Sequence, residues 1–158
     1  MYNHAPADYT CPICLAINGV ESEKTMMLQD DIFYRDDVVI GVVNSKFVGK
    51  NPGHVIVVPV KHYENVYDLP ETEAKQIILV AKKVALALKE VRQCDGVMLQ
   101  QNNEPASGQH AFHFHLHLFP RFEGDDFTKN SSTVWVASAE ERHPYAQALR
   151  TYFAEHPN

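Results

Sequence analysis

The strongest constraint on this chain lies between Gly108 and Arg121, where GQHAFHFHLHLFPR places four of the nine histidines within eight residues. Read as a β-strand over 112–119, the run alternates. His113, His115 and His117 project to one face, and Phe112, Phe114, Leu116 and Leu118 to the other. Imidazoles at period two pack no better than Val or Thr, and each brings ring nitrogens that need partners when buried. The apolar face therefore packs, and the histidine face carries chemistry.

With 158 residues, 45% hydrophobic and 22% charged, residues 1–158 are expected to form a single domain with a real core. The net charge of −6 argues against a nucleic-acid polymer as partner, since such binders carry basic patches. No apolar run approaches the roughly 20 residues that span a bilayer, and MYNHAPADYT lacks the basic and apolar regions of a signal peptide. No membrane partner and a cytoplasmic location are expected. Cys11-Pro-Ile-Cys14 reads as half of a tetrahedral zinc site that needs two further ligands. A thioredoxin-like redox pair is the less favoured alternative, because the pattern after the pair does not read as the apolar helix that lowers the first thiol's pKa. Cys94 reads as a small apolar filler.

Along the chain, residues 1–10 read as a loose lead-in, 32–44 as a buried strand, and 45–53 as a loop. Residues 54–60 form a strand without strict alternation, as suits one covered on both faces. Asp68-Leu69-Pro70-Glu71 is a helix start with Asp68 as the capping acid, followed by Ile77, Ala81, Val84, Leu88 and Val91 at helical spacing through residue 92. A strand at 97–101, a loop at 102–108, a short strand at 133–136 and a terminal helix at 140–153 complete the pattern. Without regular βαβ alternation, the expected class is α+β.

Three histidines on one strand first suggest a single metal ion. Residues two apart are separated by roughly 6.6 Å and four apart by roughly 13 Å, whereas zinc holds its nitrogens about 2.0 Å away. At most two neighbours can converge. A neutral imidazole is also a nucleophile and base. With Gln109 and Asn102 adding neutral donors nearby, the face suits phosphoryl or nucleotidyl chemistry.

The run His113-Phe-His115-Leu-His117-Leu-Phe resembles the signature of the histidine triad (HIT) superfamily of nucleotide hydrolases and transferases. Gly53-His54, the strand ending Val-Pro-Val-Lys61-His62, the helix after Leu69-Pro70, Gln101-Asn102-Asn103, Gly108-Gln109 and Pro120-Arg121 follow in family order, covering residues 11–127. The resemblance implies an antiparallel sheet of about five strands, one long packed helix, a C-terminal helix within the extension at 128–158, and a homodimer. It implies that His115 attacks the α-phosphorus of a purine nucleotide, a dinucleoside polyphosphate or nucleoside phosphoramidate, forming a nucleotidyl-histidine that water cleaves. His117 is then the phosphate-contacting ring and His54 a supporting histidine. Asn102 and Gln109 hold phosphate and leaving-group oxygens, and Asn44 stands where many members have an Asp on the ribose hydroxyls. Cys11 and Cys14 resemble a structural zinc knuckle completed by His62 and His113.

Glu104 replaces a common Gly after the Asn pair, and the 45–53 loop is longer than usual. His110 replaces a common Ser and reads equally as a proton donor or a surface turn residue. A zinc-stabilised nucleotide-binding module with little turnover, or a nucleotidyltransferase, are the alternatives to hydrolysis.

Overall fold

Asp36 divides the stretch that the hydropathy pattern reads as one strand over 32–44. In the computed structural model, which describes residues 2–22 and 24–157, its carboxylate accepts the backbone N–H groups of Val38 and Val39, both at 2.8 Å. That local bond closes a turn. The stretch becomes an antiparallel hairpin of β1 (Ile32–Arg35) and β2 (Val39–Val43).

The expected loop at 45–53 likewise contains a strand, β3 (Lys46–Val48), which pairs with β7 (Val134–Val136) in a separate two-stranded ribbon. Phe47 explains it: this fully buried ring meets Trp135 and Tyr145 edge-on, with centroids 5.8 and 5.5 Å away. The remaining strands are β4 (Val55–Pro59), β5 (Gly96–Gln100) and β6 (Leu116–Arg121). They complete an antiparallel five-stranded sheet in the order β1-β2-β4-β6-β5. β4 lies at its centre with all five residues buried, as its unbroken apolar run requires. The fold is α+β.

Residue parity on the central strands sorts the core into two layers. Val39, Val43, Val55, Val57, Leu116 and Leu118 face α2 (Glu71–Arg92), joining Ile77, Val80, Ala81, Val84 and Leu88. Ile40, Val42, Ile56 and Val58 face the opposite way, against α1 (Pro12–Ile17) through Ile13, Ala16 and Ile17. His117 pairs with Ile56 across the β4–β6 ladder and so belongs to the α1 side. α3 (Phe127–Asn130) is a single turn, and α4 (Ala139–Glu155) adds Ala146 and Leu149 to the α2 layer. The residues after 127 thus share the core of those before it. α4 is pinned to the start of β1 by a buried Arg142–Asp31 ion pair at 2.9 Å.

Two helix-boundary and lead-in expectations need correction. Asp68 does not cap α2: it ends a 3-10 turn at Val66–Asp68, and Leu69, extended because it precedes Pro70, moves the cap position to Pro70 itself. Residues 2–9 are not loose. The Glu64 carboxylate accepts the backbone N–H groups of His4 and Ala5, the Asn65 amide donates to Asn3 at 2.9 Å, and the His4 ring meets Glu104 at 2.8 Å. Among the described residues no helix is long and apolar enough to cross a membrane.

Gly53, which leads into β4, has φ +75°, and a Cβ there would lie 2.5 Å from the Tyr145 ring and 2.7 Å from Arg92 Nη1. Arg92 cannot yield easily, since it donates to the Pro52 carbonyl at 2.7 Å and stacks 4.5 Å above Tyr145. Gly53→Ala is expected to cost about 2 kcal/mol. Urea unfolding should show a lower midpoint at unchanged slope, and an unchanged midpoint would refute the crowding.

Candidate active site

Cys11 occupies the N-cap of α1, where its Sγ accepts the Cys14 N–H at 3.3 Å. The apolar helix judged missing from the sequence is therefore present, but it is six residues long and does not activate its thiols. Burial, together with the Cys11 thiol beside it, pushes Cys14 up to about 12 in the metal-free chain. That direction is opposite to the lowered pKa a redox pair needs.

The structure brings Cys11, Cys14, His62 and His113 together, with one donor atom of each within 4.8 Å of the others. Cys11 Sγ lies 3.4 Å from His113 Nδ1, and Cys14 Sγ lies 3.3 Å from His62 Nδ1 and 3.5 Å from His113 Nδ1. Tetrahedral zinc with bonds of about 2.0–2.3 Å has ligand–ligand edges of about 3.3–3.8 Å, so the spacing fits. Protonation fits as well. His113 Nε2 donates to the Pro59 carbonyl at 3.0 Å, which leaves Nδ1 with its lone pair toward the thiols. Burial lowers His113 to about 4, so the ring is neutral.

Reaching the cysteines takes His113 out of the sheet. β6 begins only at Leu116, so His113 and His115 precede the ladder rather than continuing a strand over 112–119. The Phe114 N–H donates instead to the Tyr63 carbonyl at 2.6 Å. Phe112 leaves the expected apolar face and meets Tyr9 edge-on at 5.4 Å, while Phe114, Leu116 and Leu118 stay in the α2 layer.

Beyond this bend the remaining imidazoles form a row. The rings of His115 and His117 are 4.9 Å apart and those of His117 and His54 5.5 Å. His115 Nδ1 donates to the His113 carbonyl at 2.7 Å, so Nε2 carries the lone pair. Burial depresses all three rings: His115 below the usual range, His117 well below it, and His54 to about 3. The Asn44 amide donates to His54 Nε2 at 2.6 Å, which puts the His54 proton on Nδ1.

His54 also sets an acid limit on stability. Its folded pKa lies below the free value near 6.5, so the unfolded chain binds the extra proton. Stability is full above about pH 6.5 and falls as pH drops toward 3, by about 2 kcal/mol between pH 7 and 5 for this ring. Urea unfolding of wild type and His54→Gln should therefore differ in pH slope over that interval. Equal slopes would mean that the buried ring is not the source.

A cavity of about 370 Å³ opens beside the row, on the α1 side of the sheet. His115, His117 and the exposed His110 line it, as do Asn44 and Ile56. His54 lies behind His117, outside the lining. Gln109 and Asn102 are outside it too. Gln109 is 3% exposed and fully engaged: Oε1 accepts the Glu104 N–H at 2.6 Å, and Nε2 donates to the Glu64 and Ala111 carbonyls at 2.6 and 3.2 Å. Asn102 Nδ2 reaches the Gly108 carbonyl at 3.5 Å. Both amides brace the 102–109 loop, where Glu104 holds φ +67°.

The sequence reading missed the other wall. Tyr9, Pro12 and Ile13, flanking the cysteines, and the segment Lys24 to Met27 also line the cavity. Met26 turns there at φ +51° without a Gly or Asn to mark it. Only the apolar pair Met26-Met27 hints at a buried turn.

The HIT domain family model matches residues 26–124. Protein hit of Bacillus subtilis is 34% identical over 136 residues, covering 85% of this chain and 84% of that protein. A bis(5'-adenosyl)-triphosphatase of Dictyostelium discoideum is 29% identical over 139 residues, covering 84% and 92% respectively. A solved structure of a Hit-like protein involved in cell-cycle regulation from Bartonella henselae aligns with a TM-score of 0.76 at 28% identity, over 91% of this chain and 96% of that one. The match takes in the cavity's Met27, Asn44 and Ile56 as well as the whole histidine row, so it extends well past one motif, and the chain belongs to the HIT family.

Proposed function

We propose that this protein is a nucleotide hydrolase in which His115 attacks the α-phosphorus of a purine nucleotide. The observation that carries this reading is the His115–His113 carbonyl bond, which holds the ring in the tautomer with a free Nε2 at the cavity. Burial keeps that ring unprotonated, as a nucleophile must be. A family relative named as a bis(5'-adenosyl)-triphosphatase supports the substrate class.

In the first step the Nε2–P bond forms as the bond from phosphorus to the leaving group breaks, and the leaving group takes a proton from His110. Water then attacks phosphorus, the P–Nε2 bond breaks, and the proton of water returns to His110. His117 contacts the phosphate oxygens beside His115, and His54 supports His117 from behind. Asn44 meets the ribose hydroxyls. Asn102 and Gln109 act through the loop they brace.

Cys11, Cys14, His62 and His113 hold a zinc ion in this reading. Four protein ligands leave no open position, so bound zinc supplies a crosslink. That crosslink joins α1 to the residues just before β6. The chain acts in the cytoplasm as a homodimer, for which the open edge of β5 and the exposed Ile78, Leu79 and Leu86 of α2 offer surface. Sedimentation velocity at the monomer mass would remove the dimer from the reading.

The mechanism is tested by intact mass after an alkaline quench, within seconds of mixing with diadenosine triphosphate, because a phosphoramidate on histidine is acid-labile. A transient gain of one nucleoside monophosphate is expected. Absence of both adduct and hydrolysis, with ligand-induced stabilisation retained, would leave a binding module instead.

A further inference from the structure

The cavity beside His115 and His117 is charged oppositely to the chain as a whole. The sequence holds 20 acidic residues against 14 basic ones, yet among the described residues no Asp or Glu lines the cavity. Lys24 and Lys46 do. Among the described lining residues the fixed charge comes from these two ammonium groups.

Each lysine sits on a separately anchored segment. Lys46 opens β3, two residues after Asn44, and its backbone is registered against Val136 of β7. Lys24 stands in a turn closed by the Thr25 N–H to the Ser22 carbonyl at 3.0 Å. The buried Thr25 hydroxyl donates to the same carbonyl at 2.8 Å. Among the described residues neither lysine makes an ion pair or a side-chain hydrogen bond, whereas Lys75 meets Glu71 on its own helix and Lys129 meets Asp126 at the cap of α3. Two like charges line one concave site with no counter-ion among the described residues. They raise the local concentration of anions and stabilise one that binds.

We propose that Lys24 and Lys46 form an anion subsite that takes a second phosphoryl group of the nucleotide, in addition to the one facing His115. This rests on the nucleotide reading above and narrows it. The preferred substrate carries more phosphate than the group attacked, and a nucleoside phosphoramidate with an uncharged amine leaving group is the poorer fit. Lysine suits the task as a mobile point charge with three donors. The second phosphoryl group has two chemical sources, the 5′ phosphate chain or a phosphate on the ribose.

The test is calorimetric titration of wild type, Lys24→Gln/Lys46→Gln and Lys24→Arg/Lys46→Arg. The ligands are AMP, adenosine 5′-(α,β-methylene)triphosphate, which resists cleavage at the α-phosphorus, and adenosine 3′,5′-bisphosphate. For wild type, one of the two more highly phosphorylated ligands should bind on the order of tenfold tighter than AMP. The Gln pair should lose that gain while binding AMP within about twofold of wild type, and the Arg pair should keep it. Gain with the triphosphate analogue assigns the subsite to the 5′ chain, and gain with the bisphosphate assigns it to the ribose. Both lysines are exposed, so an unchanged unfolding midpoint is expected for both variants. If AMP binds and neither extra phosphate helps, or if the Gln pair weakens AMP equally, the subsite is refuted and the nucleotide reading stands. If wild type binds none of the three, the nucleotide reading falls and the subsite with it.

Discussion

His115→Asn is expected to lower single-turnover hydrolysis of diadenosine triphosphate by on the order of 10⁴-fold or more, with the unfolding midpoint within about 2 °C of wild type. Asparagine is the informative replacement because its amide keeps an N–H donor on a short planar side chain. It can still satisfy the His113 carbonyl that His115 Nδ1 reaches at 2.7 Å. What it removes is the Nε2 lone pair. The nucleotide adduct should vanish together with turnover, because both depend on that nitrogen. Retention of a tenth of the wild-type rate would show that His115 is not the nucleophile. Loss of the rate with an adduct still present would instead place His115 in the second step.

The second large effect falls on stability. Exhaustive chelation of a zinc-loaded preparation, or the substitution Cys14→Ser, is expected to lower the thermal midpoint by more than about 10 °C. Structural zinc contributes about 10–16 kcal/mol in small zinc peptides. A 150–250-residue domain shifts by about 2–4 °C per kcal/mol, so retaining about half of that contribution suffices. The cluster justifies a share of this size. Cys11 is 8% exposed and His113 fully buried, and the α1 layer that rests on β2 and β4 begins at these cysteines. Zinc requires thiolates, while Cys14 in the metal-free chain is held up near 12, so binding releases protons and tightens as pH rises. Calorimetry with and without chelator, alongside a count of zinc per chain, checks both claims. Identical midpoints, or a purified chain with no zinc, would refute them.

What was readable in the sequence was set by local chemistry. Helical spacing from Ile77 to Leu88 and the C-x-x-C spacing each state their geometry within a few residues, whereas the period-two histidines stated theirs only in part, since the ladder begins at Leu116 and His113 turns to the cysteines. The four cluster residues do meet, but only the family resemblance pointed to His62, some 50 residues from either neighbour in the set. Features that depend on a distant partner were missed. β3 exists because Phe47 packs on Trp135 and Tyr145, and residues 2–9 are ordered by Glu64 and Asn65. The hairpin at Asp36 was a different failure: its signal was local, but the apolar residues on either side hid it. Gln109 shows a further limit. Residue type suggested a phosphate donor, whereas its three bonds to the backbone make it a brace.

The alternation along β2, β4 and β6 has an evolutionary reading. Val39, Val55 and Leu118 see only the α2 layer, while their neighbours Ile40, Ile56 and His117 see α1 or the cavity. Substitutions at odd positions of β2 and β4 and even positions of β6 are screened for stability alone. Their neighbours Ile56 and His117, which line the cavity, answer for what it holds as well. Adjacent codons in one strand are thereby placed under separate selection, so a lineage can retune what the cavity accepts while the helix-side packing of the same strand drifts on its own schedule.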